Sequence, residues 1–139
     1  TRTPFIVYWP GVIKPGMTDQ VGHIIDISAT FRDITGAKYP KAINGNKTKD
    51  PVGKSLLPIF HGKTRESHKE IYWHFGSANA VRQGDLKAVR QGRSAWELYD
   101  LKVDPSEVNN LAKVNPEKTK ELGKMWESWS KEIKSRPGK

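Results

Sequence analysis

Few side chains in this sequence could do chemistry. The four histidines are His23, His61, His68 and His74. Imidazoles serve as metal ligands and as proton carriers near neutral pH. None stands at helical ligand spacing from another histidine, so no zinc site is signalled. His23 falls at a predicted helix start and reads as a partly buried structural group. His61 and His68 lie in polar surroundings and read as solvated. His74 differs, because it ends a predicted strand beside Trp73 and precedes a loop containing Gly76-Ser77. Loops at strand ends carry sites disproportionately.

Other patterns fail on spacing. Gly53-Lys54-Ser55 invites a phosphate-loop reading, but Thr48 occupies the position of the required first glycine and no strand precedes it. Asp100 and Asp104 flank a turn, yet Leu101-Lys102-Val103 between them supplies too few oxygen ligands for a calcium loop. Trp126 and Trp129 could stack on sugars or bases, but their spacing suits the core face of a helix. No Ser-His-Asp arrangement, carboxylate pair or nucleotide fingerprint is present. With no cysteine in the chain, disulfides, thiolate metal sites and a cysteine nucleophile are excluded within it.

Lysine and arginine number 24 against 15 acids, a net charge of +9. Such a balance favours polyanionic partners when clustered. Here the lysines are dispersed and alternate with acids in the last third, the pattern of a solvated surface. Neither nucleic acid nor membrane is an expected partner, and no apolar run approaches the roughly 20 residues needed to cross a bilayer. A hydrophobic fraction of 35% implies a lean core, helped by five tryptophans.

The elements that must position these residues follow from periodicity. Pro4–Trp9 (PFIVYW) is a continuous apolar run, predicted as a strand covered on both faces. It begins within five residues of Thr1 with no initiator Met, and the chain is expected to be a piece of a longer protein. Ile24, Ile27, Phe31 and Ile34 fall on one face of a predicted helix ended by Gly36. Residues 37 to 54 read as a polar loop, and SLLPIFHGK as a single helical turn. EIYWHF, AVRQ, LKAVR and WELYD predict an antiparallel meander, with a tight hairpin at Gln83-Gly84-Asp85. Asp104-Pro105-Ser106-Glu107 carries the signals of a short helix start. Asn115-Pro116-Glu117 repeats them before a helix whose Leu122, Trp126, Trp129 and Ile133 form one stripe. No internal repeat stands out. The predicted fold is α+β: a small, about four-stranded antiparallel sheet packed against a C-terminal helix.

The motifs P-F-I-V-x-W-P-G, H-I-I-D-I-S-A-T-F-R-D-I-T-G, A-V-R-Q-G-D-L-K and W-E-L-Y-D-L-x-x-D-P-S-E-x-x-N-L-A occur here in order. Together they resemble the C-terminal part of type I sulfatases, the arylsulfatase family, although Leu86 stands where the family often has Trp. The resemblance implies a sulfuric ester hydrolase, periplasmic or secreted. Residues 1–65 would be the C-terminal remnant, a late strand, helix and loop, of an alkaline-phosphatase-like α/β catalytic domain. Residues 66–139 would be the C-terminal subdomain, an antiparallel sheet plus helix.

The resemblance also implies a formylglycine, made from Cys or Ser in a C/S-x-P-x-R motif, and a calcium ion, both upstream. Ser135-Arg136-Pro137-Gly138-Lys139 imitates that motif but ends in Lys, and it is rejected. No catalytic residue and no metal ligand is carried over. The substrate implied is a sulfated carbohydrate or aryl sulfate, and the partner is the upstream catalytic domain of the same chain. The loop after the first C-terminal strand approaches the cleft in similar enzymes, which marks Trp73, His74, Asn79 and Arg82 as candidate substrate-binding residues. Alternatives are a non-catalytic basic module for sulfated glycan or another polyanion, a purely structural piece, and a phosphatase or phosphodiesterase of the same superfamily.

Overall fold

A computed structural model describes residues 3–134; the Ser135–Lys139 decoy lies outside them. The chain divides into two compact units, Thr3–His68 and another from Lys69 onward.

In the first unit, helix α1 (Ile25–Thr35) ends at Gly36, whose φ of 69° is the left-handed cap forecast from sequence. Its buried face corrects the sequence reading. Asp26, Ala29 and Thr30 point inward, while Ile24 and Phe31 of the apolar stripe are 76% and 64% exposed. Polar groups can occupy the interior because they are bonded there. Thr30 Oγ1 donates to the Asp26 carbonyl at 2.7 Å and accepts the Leu56 N–H at 2.8 Å. Ile27, Phe31 and Ile34 of the stripe instead line an open apolar groove of about 310 Å³ with Phe5, Trp9, Leu56 and Phe60.

Pro4–Trp9 forms no strand, the second correction. A strand needs a hydrogen-bonding neighbour, and the only described strands of this unit, β1 (Ala42–Ile43) and β2 (Asn46–Lys47), pair with each other. That hairpin lies in the stretch read as a polar loop. Asn44 and Gly45 at its tip both take positive φ, 50° and 79°, the tight-turn geometry that Asn-Gly favours. Helix α2 (Leu57–Phe60) is the single turn anticipated from sequence.

The second unit is a meander of β3 (Glu70–Phe75), β4 (Ala78–Gln83), β5 (Leu86–Gln91) and β6 (Glu97–Asp100), in that spatial order and antiparallel throughout. Gly76-Ser77 and Gly84-Asp85 make two-residue turns, with Gly76 and Gly84 at φ 56° and 59°. Helix α3 (Pro116–Lys134) starts where Asn115 and Pro116 predict, and the Asn115 side chain accepts the Lys118 N–H. Leu122 and Trp126 bury against Val81, Ala88 and Leu98, with Tyr72 and Trp129 at the margin. The predicted α+β architecture, four antiparallel strands under a C-terminal helix, is what the chain forms.

No helix follows Asp104, the third correction. Glu107 takes a φ of 59°, which breaks a right-handed helix at its third position, and its carboxylate reaches Lys87 Nζ at 2.6 Å on β5. Asp104 still caps locally, accepting the N–H groups of Val108 and Asn109 at 3.1 and 2.7 Å. The segment then seals the open edge of β6. Leu98 N–H donates to Asn110 Oδ1, and Leu111 N–H donates to the Leu98 carbonyl. An exposed strand edge is an aggregation hazard, and this corner covers one.

Candidate functional site

Opposite residues in an antiparallel ladder share a face. The register His74↔Asn79↔Arg90 therefore sets an imidazole, an amide and a guanidinium in one row across β3, β4 and β5. The row lies at the Gly76-Ser77 end of the sheet, on the face that carries α3. His74 is exposed and Asn79 is buried. His74 Nδ1 and Asn79 Oδ1 are 2.9 Å apart, and Asn79 Nδ2 donates to the Ser77 carbonyl at 3.2 Å. An amide oxygen can only accept, so this contact puts the proton of the neutral ring on Nδ1 and leaves Nε2 as an acceptor. The His74 ring also tilts against Trp126, centroids 5.7 Å apart.

Trp126 is locked from behind. Its indole N–H donates to the Trp73 carbonyl at 2.9 Å, satisfying an acceptor on the edge strand β3. Arg90 lies over the Trp96 ring at 4.6 Å and over Trp126 at 5.7 Å. The row thus combines an aromatic wall, hydrogen-bonding groups and a cation, suited to a polar ring bearing negative substituents.

Of the four residues singled out from sequence, His74 and Asn79 are brought together. Trp73 and Arg82 project from the opposite face of the sheet, by the same alternation. Arg82 Nε donates to the Gly84 carbonyl at 2.7 Å and a second nitrogen lies 3.9 Å from Asp85, a local turn clasp.

Arg90 escapes the sequence reading, although its signal was present. The pentapeptide A-V-R-Q-G occurs twice, at residues 80–84 and 88–92. The two-residue turn between the copies inverts the second one. Val81 and Ala88 therefore pair in the core, and Arg82 and Arg90 emerge on opposite faces.

A second cluster of ionisable groups sits in the first unit. Asp26, fully buried, accepts from His23 N–H at 2.9 Å, Lys54 N–H at 2.9 Å, Arg65 Nη2 at 2.8 Å and His68 Nε2 at 2.7 Å. Burial alone would push its carboxyl up. The four donors outweigh this and hold it below the ordinary aspartate value. His68, read from sequence as solvated, is instead a buried partner of this carboxylate, its side chain only 7% exposed. His61 is exposed, as anticipated, and His23 is half-buried. Burial pushes the His23 imidazole below its usual value, with Asp26 opposing and His68 reinforcing.

Neither cluster suits a calcium ion. Both Asp26 oxygens are already committed, and a fixed guanidinium stands beside them, which repels a cation. Both Asp104 oxygens are taken by backbone amides. Among the described residues no three His, Cys, Asp or Glu side chains converge as a ligand set. Gly53-Lys54-Ser55 is equally occupied: a Cβ on Gly53 would overlap the Ile25 carbonyl, and the Lys54 amide serves Asp26.

Comparison with known proteins decides the family. Residues 1–135 match the family described as N-sulphoglucosamine sulphohydrolase, C-terminal. The chain belongs to this sulfatase family. An N-acetylglucosamine-6-O-sulfatase of Bacteroides thetaiotaomicron is 30% identical over 146 residues, covering 96% of this chain and 25% of that protein. A solved structure from work on glycosaminoglycan metabolism by Bacteroides thetaiotaomicron superposes with a TM-score of 0.69 at 27% identity, covering 92% of this chain and 28% of the other. Another, bound to its substrate D-glucosamine-2-N,6-O-disulfate, superposes with a TM-score of 0.56 at 26% identity over 81% of this chain and 24% of that one. The chain spans about a quarter to a third of the length of the curated sulfatases it matches. These matches bear out the resemblance to the C-terminal part of a sulfatase.

Proposed function

We propose that this chain is the C-terminal part of a sulfuric ester hydrolase acting on sulfated sugars. In this reading it completes the fold of the enzyme, and the β3–β4 hairpin contributes one wall of the substrate cleft. The observation that carries the proposal is the coupling of exposed His74 to buried Asn79 beside Trp126, in a chain of this sulfatase family. Asn79 orients the imidazole: with Nδ1 engaged, Nε2 is the group left to meet a sugar hydroxyl. Trp73 and Arg82, on the reverse face, serve the scaffold.

The formylglycine and calcium chemistry belongs to an upstream catalytic domain of the same chain, since the donor sets here do not fit the metal. The segment alone is accordingly inactive as a hydrolase. A periplasmic or secreted location accompanies this reading, and among the described residues no helix is long and apolar enough to cross a membrane.

The test is His74→Ala in the parent enzyme, assayed on sulfated glucosamine. We expect KM to rise about threefold to tenfold, the size of one or two exposed polar contacts, with kcat less affected. Unchanged kinetics would remove the hairpin from the cleft. Salt-sensitive capture of heparin by the isolated chain, undiminished by His74→Ala, would instead favour the polyanion-binding module.

A further inference from the structure

We infer that Arg90 is the oxyanion-binding residue of the His74–Asn79 row, taking a second negative substituent, sulfate or carboxylate, on the bound sugar. The inference rests on the cleft reading above and adds to it the requirement for a doubly anionic ligand.

Arginine is suited to sulfate and carboxylate because its planar fork offers parallel N–H donors. The arginines of this chain differ in whether that fork is free. The Arg65 fork is spent on the Lys54 and Val21 carbonyls and Asp26, and Arg82 is clasped to its own turn. Arg90 differs at its terminal nitrogens. Among the described residues the buried Nε of Arg90, like that of Arg65, has no hydrogen-bond acceptor, but Arg90 Nη1 lies 3.7 Å from Glu127, too far for a good hydrogen bond. The side chain keeps 22% of its surface open.

Two indoles hold this charge in place. Trp96 and Trp126 both lie within about 6 Å of the guanidinium carbon, the range of cation–π attraction. Such contacts fix the plane of the group without consuming its donors. A preorganised cation loses little conformational entropy when an anion arrives. In the ladder Arg90 sits directly across from Asn79, which bonds His74. One sugar ring over that row would meet hydroxyl-binding groups at one end and the guanidinium at the other. Glu127, half exposed, is the internal competitor that an incoming anion displaces.

The experiment titrates the full chain with three probes, following backbone and indole resonances of Asn79, Trp96 and Trp126. The probes are glucosamine 6-sulfate, D-glucosamine-2-N,6-O-disulfate, and a glucuronate-linked glucosamine 6-sulfate. The doubly anionic probes should bind about tenfold tighter than the first, the scale of one charge-assisted hydrogen bond. Whichever gains more identifies sulfate or carboxylate as the preferred group. Arg90→Gln should erase that advantage and leave the monosulfate within twofold, whereas Glu127→Gln should enlarge it by removing the competitor. His74→Ala should weaken all three.

If Arg90→Gln preserves the advantage while His74→Ala still weakens binding, the Arg90 assignment fails and the cleft reading stands. If His74→Ala changes nothing, or the wild-type chain shows no saturable shift, both fail. Should Arg90→Gln prove unfolded by circular dichroism, Glu127→Gln decides, and no strengthening there overturns the inference.

Discussion

His68 Nε2 lies 2.7 Å from Asp26 Oδ1, joining residues 42 positions apart in sequence. The same carboxylate holds Arg65, whose side chain is 3% exposed, and two backbone amides. Removing one charge from a buried pair leaves the other uncompensated. Asp26→Asn should therefore destabilise the first unit by about 3 kcal/mol, more than a typical point substitution. Chemical denaturation followed by circular dichroism gives the magnitude. Amide exchange at Lys54 and His23 localises it, because Asn keeps one acceptor oxygen where Asp has two, so at least one of those N–H groups meets an NH2 instead. A loss under about 1 kcal/mol would mean that water screens the cluster in solution.

Acid should act in two stages. His23 is held below its usual pKa chiefly by burial, so its contribution is present above about pH 6.5 and is lost as pH falls through the folded value. Asp104 is held low by the Asn109 and Val108 amides and Asp26 by its four donors, in its case against burial. Their contribution is present above about pH 4 and disappears below it. Stability measured by urea unfolding from pH 8 to pH 3 should begin to fall below about pH 6.5 and fall again below about pH 4. His23→Gln should abolish the first step alone.

Alkali probes the reverse face of the sheet. Burial and the Glu97 carboxylate, to which its hydroxyl donates at 2.9 Å, push the Tyr99 phenol up to about 12. An ordinary tyrosine ionises near pH 10. A raised folded pKa contributes stability that is complete below about pH 10 and is lost as pH climbs through about 12, on the order of 2 kcal/mol. Phenolate absorbance should show Tyr99 titrating last, with Tyr72, which burial also raises, above the ordinary tyrosine range too. Tyr99→Phe should remove that late phase and flatten the alkaline limb of stability.

Much of the second unit was legible in sequence because local signals and burial agree there. EIYWHF is β3 from end to end, Gly84-Asp85 is the hairpin turn, and the Leu122–Trp126–Trp129 stripe covers the sheet. In the first unit they disagree. Ile24 and Phe31 of the α1 apolar stripe are exposed while Asp26 and Thr30 are buried, because those two collect donors from residues 54 to 68. No periodicity reports such a long-range network. The lone acid in I-I-D-I was its only trace. Asp104-Pro105-Ser106-Glu107 had every local helix signal, but the tertiary bond from Glu107 to Lys87 overrides them. At the candidate site, His74 was legible as a strand end, whereas Asn79 entered only through the family resemblance, and their pairing required the register. Separating Arg82 from Arg90 required the register, since identical pentapeptides surround them.

Gly123 makes room for Trp96, and the site depends on that space. A Cβ at Gly123 would come 2.7 Å from Trp96 Nε1 and 2.9 Å from Cδ1. Gly123→Ala gains about 1 kcal/mol of helix propensity in α3. Against this stands an overpacking cost of about 1–3 kcal/mol. The indole cannot retreat cheaply, because it is pinned by Trp126 at 6.0 Å and by Arg90 at 4.6 Å. Clash should win, and Gly123→Ala should be net destabilising by about 1 kcal/mol with altered tryptophan fluorescence. Trp96→Phe shrinks the obstructing ring, so the pair should be strongly non-additive: in the Trp96→Phe background, Gly123→Ala should become neutral or stabilising. Additive losses would mean that helix and indole do not meet. The same double variant should also loosen Arg90, because a phenyl ring offers the guanidinium a weaker face than indole does.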